Sequence, residues 1–228
     1  MIILGIDTSG KSGGVSLAEG DAHSFRVLGS APISGGTFSA QLVPTVAALL
    51  QEQKLAAHDL NGLCVASGPG SFTGLRVGLS AVKGLAEILH IPIATVSLLA
   101  ALASRSSANG TVLAVLDAGR GEFFVGTYFK DTESNSLRCV DESLRSAAEL
   151  AHHFQVTPAP ALVTCDEPVI KAATAAGIEC ETVARPDSAL IAQLGLEQLL
   201  SGDTVAVEVL DANYLRRSDA EIFFKGNR

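Results

Sequence analysis

The chain has 228 residues, which suits one large domain or two lobes of about 110 residues each. Hydrophobic residues make up 47% and charged residues 18%, so a sizeable core is available and disorder is excluded. A net charge of -8 argues against a chain that grips nucleic acid alone, because neutralising phosphates needs clustered Lys and Arg.

Taken in chain order, Ile2 to Asp7 reads as a strand ending in an acid, and Gly14 to Ala18 as a second strand after a short turn. A third strand is expected within His23 to Leu28. Ser39 to Gln53 reads as a helix with Leu42, Val46, Leu49 and Leu50 on one face, provided that Pro44 lies in its first turn. Leu63 to Ala66 is the next strand, Thr73 to Leu89 a long helix, Ile91 to Val96 a short strand, and a short helix runs on to Ala103. Val112 to Asp117 then repeats the opening pattern 110 positions later (117 minus 7), followed by an apolar run from Phe123 to Tyr128 and a third strand from Ser136 to Val140. Helices over Ser146–Phe154, Val169–Ala176 and Ser188–Leu200, with a strand over Ala161–Thr164, complete the series. Connections too short for crossovers make the first three strands of each half antiparallel.

The same strand–Asp–turn–strand order heads both halves. It predicts a duplicated α/β chain with one lobe over residues 1–108 and a second over 109–228, the C-terminal segment being able to pack back on the first lobe. This plan resembles the actin-like ATPase and sugar-kinase (ribonuclease H-like) fold, in which two Asp-bearing turns flank a nucleotide cleft. That likeness marks Asp7, Thr8, Ser9, Lys11 and Asp117 as a degenerate nucleotide cleft at most. Each Asp has a plainer role open to it, bonding the backbone N–H groups of its own turn.

The run Gly68-Pro69-Gly70-Ser71-Phe72-Thr73-Gly74-Leu75-Arg76-Val77-Gly78 joins a strand to a helix, where unpaired N–H groups favour an anion. Its spacing fits neither common phosphate loop. Leu75-Arg76 stands where a P-loop needs Lys and Ser/Thr, and the third glycine arrives one residue late for a dinucleotide fingerprint. A tight turn is the better reading. The helix that follows is apolar on nearly every side and carries Gly74, Gly78 and Gly84, so close packing and partner docking are both open to it.

Nothing assembles a catalytic constellation. The histidines His23, His58, His90, His152 and His153 contain no H-x-x-x-H pair, and the cysteines Cys64, Cys139, Cys165 and Cys180 no C-x-x-C, so no metal site is expected. No G-x-S-x-G elbow occurs. No basic leader and no apolar run of about 20 residues is evident, and the expected location is the cytoplasm, without membrane contact.

Four stretches together resemble the bacterial TsaB (YeaZ) family, of the glycoprotease or M22-like group: Ile6-Asp7-Thr8-Ser9, the glycine-rich run, Leu116-Asp117-Ala118-Gly119-Arg120-Gly121-Glu122, and Tyr214-Leu215-Arg216-Arg217. The resemblance covers essentially the whole chain. It implies a non-catalytic subunit of the complex that forms N6-threonylcarbamoyladenosine at position 37 of tRNA. Its partner would be the catalytic paralogue TsaD, with TsaE joining the pair. A homodimer is implied when the chain is alone, and tRNA is met only through the complex. No cofactor is required; weak ATP or ADP binding is implied, more at a subunit junction than in the chain itself. By family pattern the two helices make the partner interface, through Leu42, Val46, Leu49 and Leu50 on the first. On the second the interface residues are Gly74, Leu75, Gly78, Leu79, Val82 and Leu85. Where family members carry His-Ser-Glu ahead of the Leu-Leu-Pro of the first helix, this chain has Phe38-Ser39-Ala40 ahead of Leu42-Val43-Pro44, which removes the trace of a metal site there. The competing readings are an active ATP-dependent kinase or ATPase of the same fold and, behind it, a metalloprotease.

Overall fold

The pattern at the head of each half becomes two five-stranded sheets built to one plan. The structure, a computed structural model, describes residues 1–131, 136–156 and 160–216. The first sheet holds β1 (Ile2–Asp7), β2 (Ser12–Gly20), β3 (Phe25–Ser34), β4 (Gly62–Gly68) and β5 (Ile93–Ser97), in the order β3-β2-β1-β4-β5. The second holds β6 (Gly110–Gly119), β7 (Glu122–Lys130), β8 (Leu137–Ser146), β9 (Ala161–Thr164) and β10 (Cys180–Thr182), in the order β8-β7-β6-β9-β10. In both, the first strand pairs antiparallel with the second and parallel with the fourth. The strand order and every pairing sense match between the sheets. The chain is α/β and duplicated, with the topology of the ribonuclease H-like, actin-like fold.

Among the described residues six α-helices cover these sheets: α1 (Phe38–Glu52), α2 (Phe72–Leu89), α3 (Leu98–Ser104), α4 (Ala147–Val156), α5 (Glu167–Ala175) and α6 (Ser188–Ser201). In the first unit, α1 and α2 lie side by side on one face of the sheet and α6 packs on β1, β2 and β4. Both faces are therefore buried, which is why Ile3 to Ile6 has no polar position. Leu4 and Ile6 join Leu42, Val46, Leu49, Leu79 and Val82 in one core. The alternate residue Gly5 lies under α6, where a Cβ would strike the Ser188 carbonyl. In the second unit, α4 and α5 contribute Leu150, Val169 and Ala173 to a core with Leu113, Val115, Phe123 and Val125. There α3 packs on β6 and β7.

The units divide at Ser97/Leu98 rather than at residue 108, because α3 packs on the second sheet. Pro186–Asn213, placed by sequence order in the second lobe, belongs to the first unit, and the chain re-enters the second unit at Tyr214.

Pro44 departs from expectation. Because α1 begins at Phe38, Pro44 stands inside the helix rather than in its first turn. Its missing N–H leaves the exposed Ala40 carbonyl to solvent. Burial of Phe38, Leu42, Val46, Leu49 and Leu50 along the other face holds the helix through it.

Candidate functional site

The glycine-rich run and the β1–β2 turn form one structure in the first unit. Asp7 ends β1 and is buried. Its Oδ1 accepts from Ser9 N at 2.9 Å and from Ser9 Oγ at 2.6 Å, the closed turn that a short acid favours. Against this turn lies the start of α2. Ser71 is the helix N-cap and accepts from Gly74 N at 3.3 Å; its own N–H donates to Ser9 O at 2.6 Å. Thr8 Oγ1 donates to Gly74 O at 2.8 Å.

The glycines of the run answer to this turn. A Cβ at Gly70 would strike the Ser9 carbonyl, one at Gly74 the Thr8 carbonyl, and one at Gly78 the Thr8 hydroxyl. The backbone that the small residues of α2 admit is therefore that of this chain's own turn. Only Gly68 meets the demand for an unusual conformation, with φ +119 beside Asn213, whose N–H donates to Ser67 O at 2.8 Å. The Ser71 N–H is spent on Ser9 O, and the Thr8 and Ser9 hydroxyls bond within the lobe.

Lys11 is exposed, and its carbonyl accepts from Gly35 N at 2.8 Å. Asp117 lies in the second unit at the corresponding strand end. Its Oδ1 accepts from Gly119 N at 2.9 Å, and its own N–H donates to Asp166 Oδ2, also at 2.9 Å. Asp166 in turn takes Arg185 Nη1 on Oδ1 at 3.1 Å. Sequence reasoning passed over Asp166. An acid just before Glu167-Pro168 reads as a helix cap, yet its side chain caps nothing and serves the Asp117 strand instead. Cys165, beside it, is pushed up to about 11 by burial, with the Asp166 carboxylate adding to the shift. That thiol stays protonated at neutral pH. Among the described residues no group of three or more His, Cys, Asp or Glu is placed to hold a metal ion.

Most of the residues expected to meet a partner are buried within the chain itself. Leu42, Val46, Leu49 and Leu50 of α1 and Leu75, Leu79 and Val82 of α2 are core side chains, with Val82 wholly buried. Gly74 and Gly78 are buried against Thr8, and Leu85 is half-buried against the same core. An apolar helical stripe covers whatever lies beneath it, and here that is the chain's own sheet. The outward faces carry other residues. On α1 these are Ala40, Val43, Pro44, Ala47 and Ala48; on α2 they are Thr73, Arg76, Ser80, Gly84, Glu87 and Ile88. Val43 is 63% and Ile88 77% exposed. Arg76 stacks on the Phe72 ring, 3.8 Å from its centroid.

Gly84 is the exception among the α2 glycines. It lies well inside the helix, and a Cβ there would meet nothing within 4 Å.

Comparison with known proteins adds three findings. The family model described as "TsaD: tRNA N6-adenosine threonylcarbamoyltransferase" matches residues 33–159. The Bacillus subtilis "tRNA threonylcarbamoyladenosine biosynthesis protein TsaB" is 36% identical over 129 residues, 56% of this chain and 55% of that protein, and the Escherichia coli TsaB is 35% identical over 94 residues. The chain thus spans about half the length of the B. subtilis relative it matches. An uncharacterized Mycobacterium tuberculosis protein is 29% identical over 220 residues, covering 96% of this chain and 93% of that one. Among solved structures, YeaZ from Pseudomonas aeruginosa superposes with a TM-score of 0.73 at 23% identity, over 94% of this chain and 99% of that one, which shows the shared fold. No helix among the described residues is long and apolar enough to cross a membrane.

Proposed function

The chain belongs to the tRNA N6-adenosine threonylcarbamoyltransferase (TsaD) family as a TsaB/YeaZ-type member, and on that premise we propose that it serves threonylcarbamoyladenosine formation on tRNA as a non-catalytic partner of a TsaD-type subunit. Its docking face is the outward side of α1 and α2. Residues Ala40, Val43, Pro44 and Ala47 fall along one side of α1, and Thr73, Ser80, Gly84 and Ile88 along one side of α2.

Gly84 carries this reading. A glycine inside a helix costs about 0.5–1 kcal/mol against alanine. At Gly74 and Gly78 the Thr8 contact accounts for that cost, but at Gly84 nothing among the described residues does. A surface that keeps a bare backbone is shaped for another backbone to approach. The exposed Val43 and Ile88 supply apolar area on the same two helices.

The β1–β2 turn supports the non-catalytic half of the proposal. Its Thr8 hydroxyl is spent on α2 and its Ser9 hydroxyl and N–H on Asp7, which favours weak nucleotide binding by the chain alone, without turnover. Any ATP or ADP sits where the partner completes a site. TsaE joins the pair, and the same α1–α2 face permits a homodimer when the partner is missing. The work is done in the cytoplasm, and tRNA is met through the complex.

The test is co-purification with a TsaD-type subunit, followed by size-exclusion chromatography. The Gly84→Arg variant is expected to melt no lower than the unaltered chain, since arginine is the better helix former, and to elute apart from the partner. Co-elution of Gly84→Arg as tightly as the unaltered chain refutes the docking face. Steady ATP hydrolysis by the chain alone refutes the non-catalytic role.

A further inference from the structure

The β6–β7 connection is a two-residue hairpin turn. Gly119 pairs with Glu122 across it, and Arg120 and Gly121 form the loop with φ of 60 and 75. Positive φ at both loop positions is the type I′ geometry, which favours Asn-Gly and disfavours a side chain such as arginine at the first place. Gly119 adds a third consecutive left-handed residue, φ 72, at a register shift beside Asp117. Sequence preference alone therefore does not secure this turn.

Arg216 does. Its Nη1 donates to the Ala118 carbonyl at 2.8 Å and its Nη2 to the Gly119 carbonyl at 3.3 Å. The same Nη2 meets Glu122 Oε2, and the guanidinium lies 5.9 Å from the Phe124 ring centroid. One side chain thus holds both ends of the turn and leans on the strand that leaves it. All these groups belong to the second unit. The described residues just before Arg216, from Asp211 to Leu215, form no helix or strand.

We propose that Tyr214–Arg216 is a latch that holds the Ala118–Gly121 turn in its left-handed conformation and so fixes the backbone next to Asp117. The fork geometry suits arginine, because two carbonyls and a carboxylate need several donors in one plane. A lysine keeps the charge and one bond at a time.

Hydrogen exchange on the full chain tests this. Arg216→Ala is expected to speed exchange of the Gly119 to Phe123 amides by about tenfold or more, since charge-assisted bonds hold the turn. The β9 amides Leu162 and Val163 stay as they were. Arg216→Lys falls between the two. Arg120→Asn supplies the residue the turn prefers, and in the Arg216→Ala background it is expected to restore most of the lost protection. Unchanged exchange in Arg216→Ala, or a loss spread evenly over the whole second sheet, overturns the latch. Failure of Arg120→Asn to restore any protection overturns the left-handed turn as the thing held.

Discussion

Thr8 and Gly74 are joined in two ways. The Thr8 hydroxyl donates to the Gly74 carbonyl at 2.8 Å, and the Thr8 carbonyl lies where a Gly74 side chain would have to go. The turn after β1 and the first turn of α2 therefore pack as backbone on backbone. Gly74→Ala is expected to destabilise the protein by about 1–3 kcal/mol, even though alanine is the better helix former. Thr8→Val removes the additional hydrogen bond that the Gly74 carbonyl accepts from outside its helix, at a cost of about 0.5–1.5 kcal/mol. Thermal melts of both variants check this.

Gly84 supplies the contrast. Alanine there meets open space, so Gly84→Ala is expected to raise stability by about 0.5–1 kcal/mol. A denaturant titration comparing Gly74→Ala with Gly84→Ala separates a packing glycine from a docking one by the sign of the change.

Leu79→Glu is a poor probe of partner binding. Leu79 is only 5% exposed and lies in the core shared with Val82 and Leu42. A carboxylate placed there is buried among apolar side chains, and the expected loss is roughly 4 kcal/mol or more. Circular dichroism is expected to show an unfolded or low-melting protein before any binding assay is run.

The four thiols are expected to react in an order set by burial. Cys64 is buried between β4 and α6 and is pushed up to about 12 by that burial, so it stays a thiol. Cys139 is exposed on β8, although burial and then the Glu142 and Asp141 carboxylates raise it above the ordinary value of 9.0. With iodoacetamide at mildly alkaline pH, Cys139 is expected to label first. Cys64 labels only after unfolding, and mass spectrometry of tryptic peptides reads the order.

Glu181 gives an acid dependence. Burial pushes its carboxyl up, but the hydroxyl of Ser106 at 2.6 Å and the N–H of Ser107 at 2.9 Å outweigh that, and the carboxyl sits below its ordinary value of 4.5. A lowered acid stabilises the fold above its unfolded value, and the contribution is lost as pH falls through the folded one. Stability is thus expected to decline below pH 4.5. Glu181→Gln is expected to lose stability at neutral pH and to show a shallower decline in acid. Melting temperatures between pH 3 and 7 decide it.

The order of elements, apart from the short strand β10, was legible because each half opens on an apolar strand stopped by an acid, and that order matches between Asp7 and Asp117. What lay beyond reach was which surface each apolar stripe covers. Leu42, Val46, Leu79 and Val82 have the spacing of a helix that buries one face, and spacing does not say whether its own sheet or another protein lies beneath. The three glycines of α2 read alike in sequence, and only the position of Thr8 tells Gly74 and Gly78 from Gly84. The sequence left open that a C-terminal segment packs back on the first lobe, but did not show that α6 is that segment. Its residues follow the second sheet in the chain, but Gly5 fits under Ser188, and that fit depends on atoms far apart in sequence.

That last relationship has a bearing on how the protein is made. The first unit draws one of its covering helices from Pro186–Asn213, so a chain emerging from the ribosome has all five strands of the first sheet long before α6 exists. Until then the Ile3, Gly5 and Cys64 side of that sheet has no cover from its own unit. A fragment ending at residue 108 keeps that apolar face bare and is prone to aggregate. The N-terminal unit, first to be synthesised, is among the last to be finished.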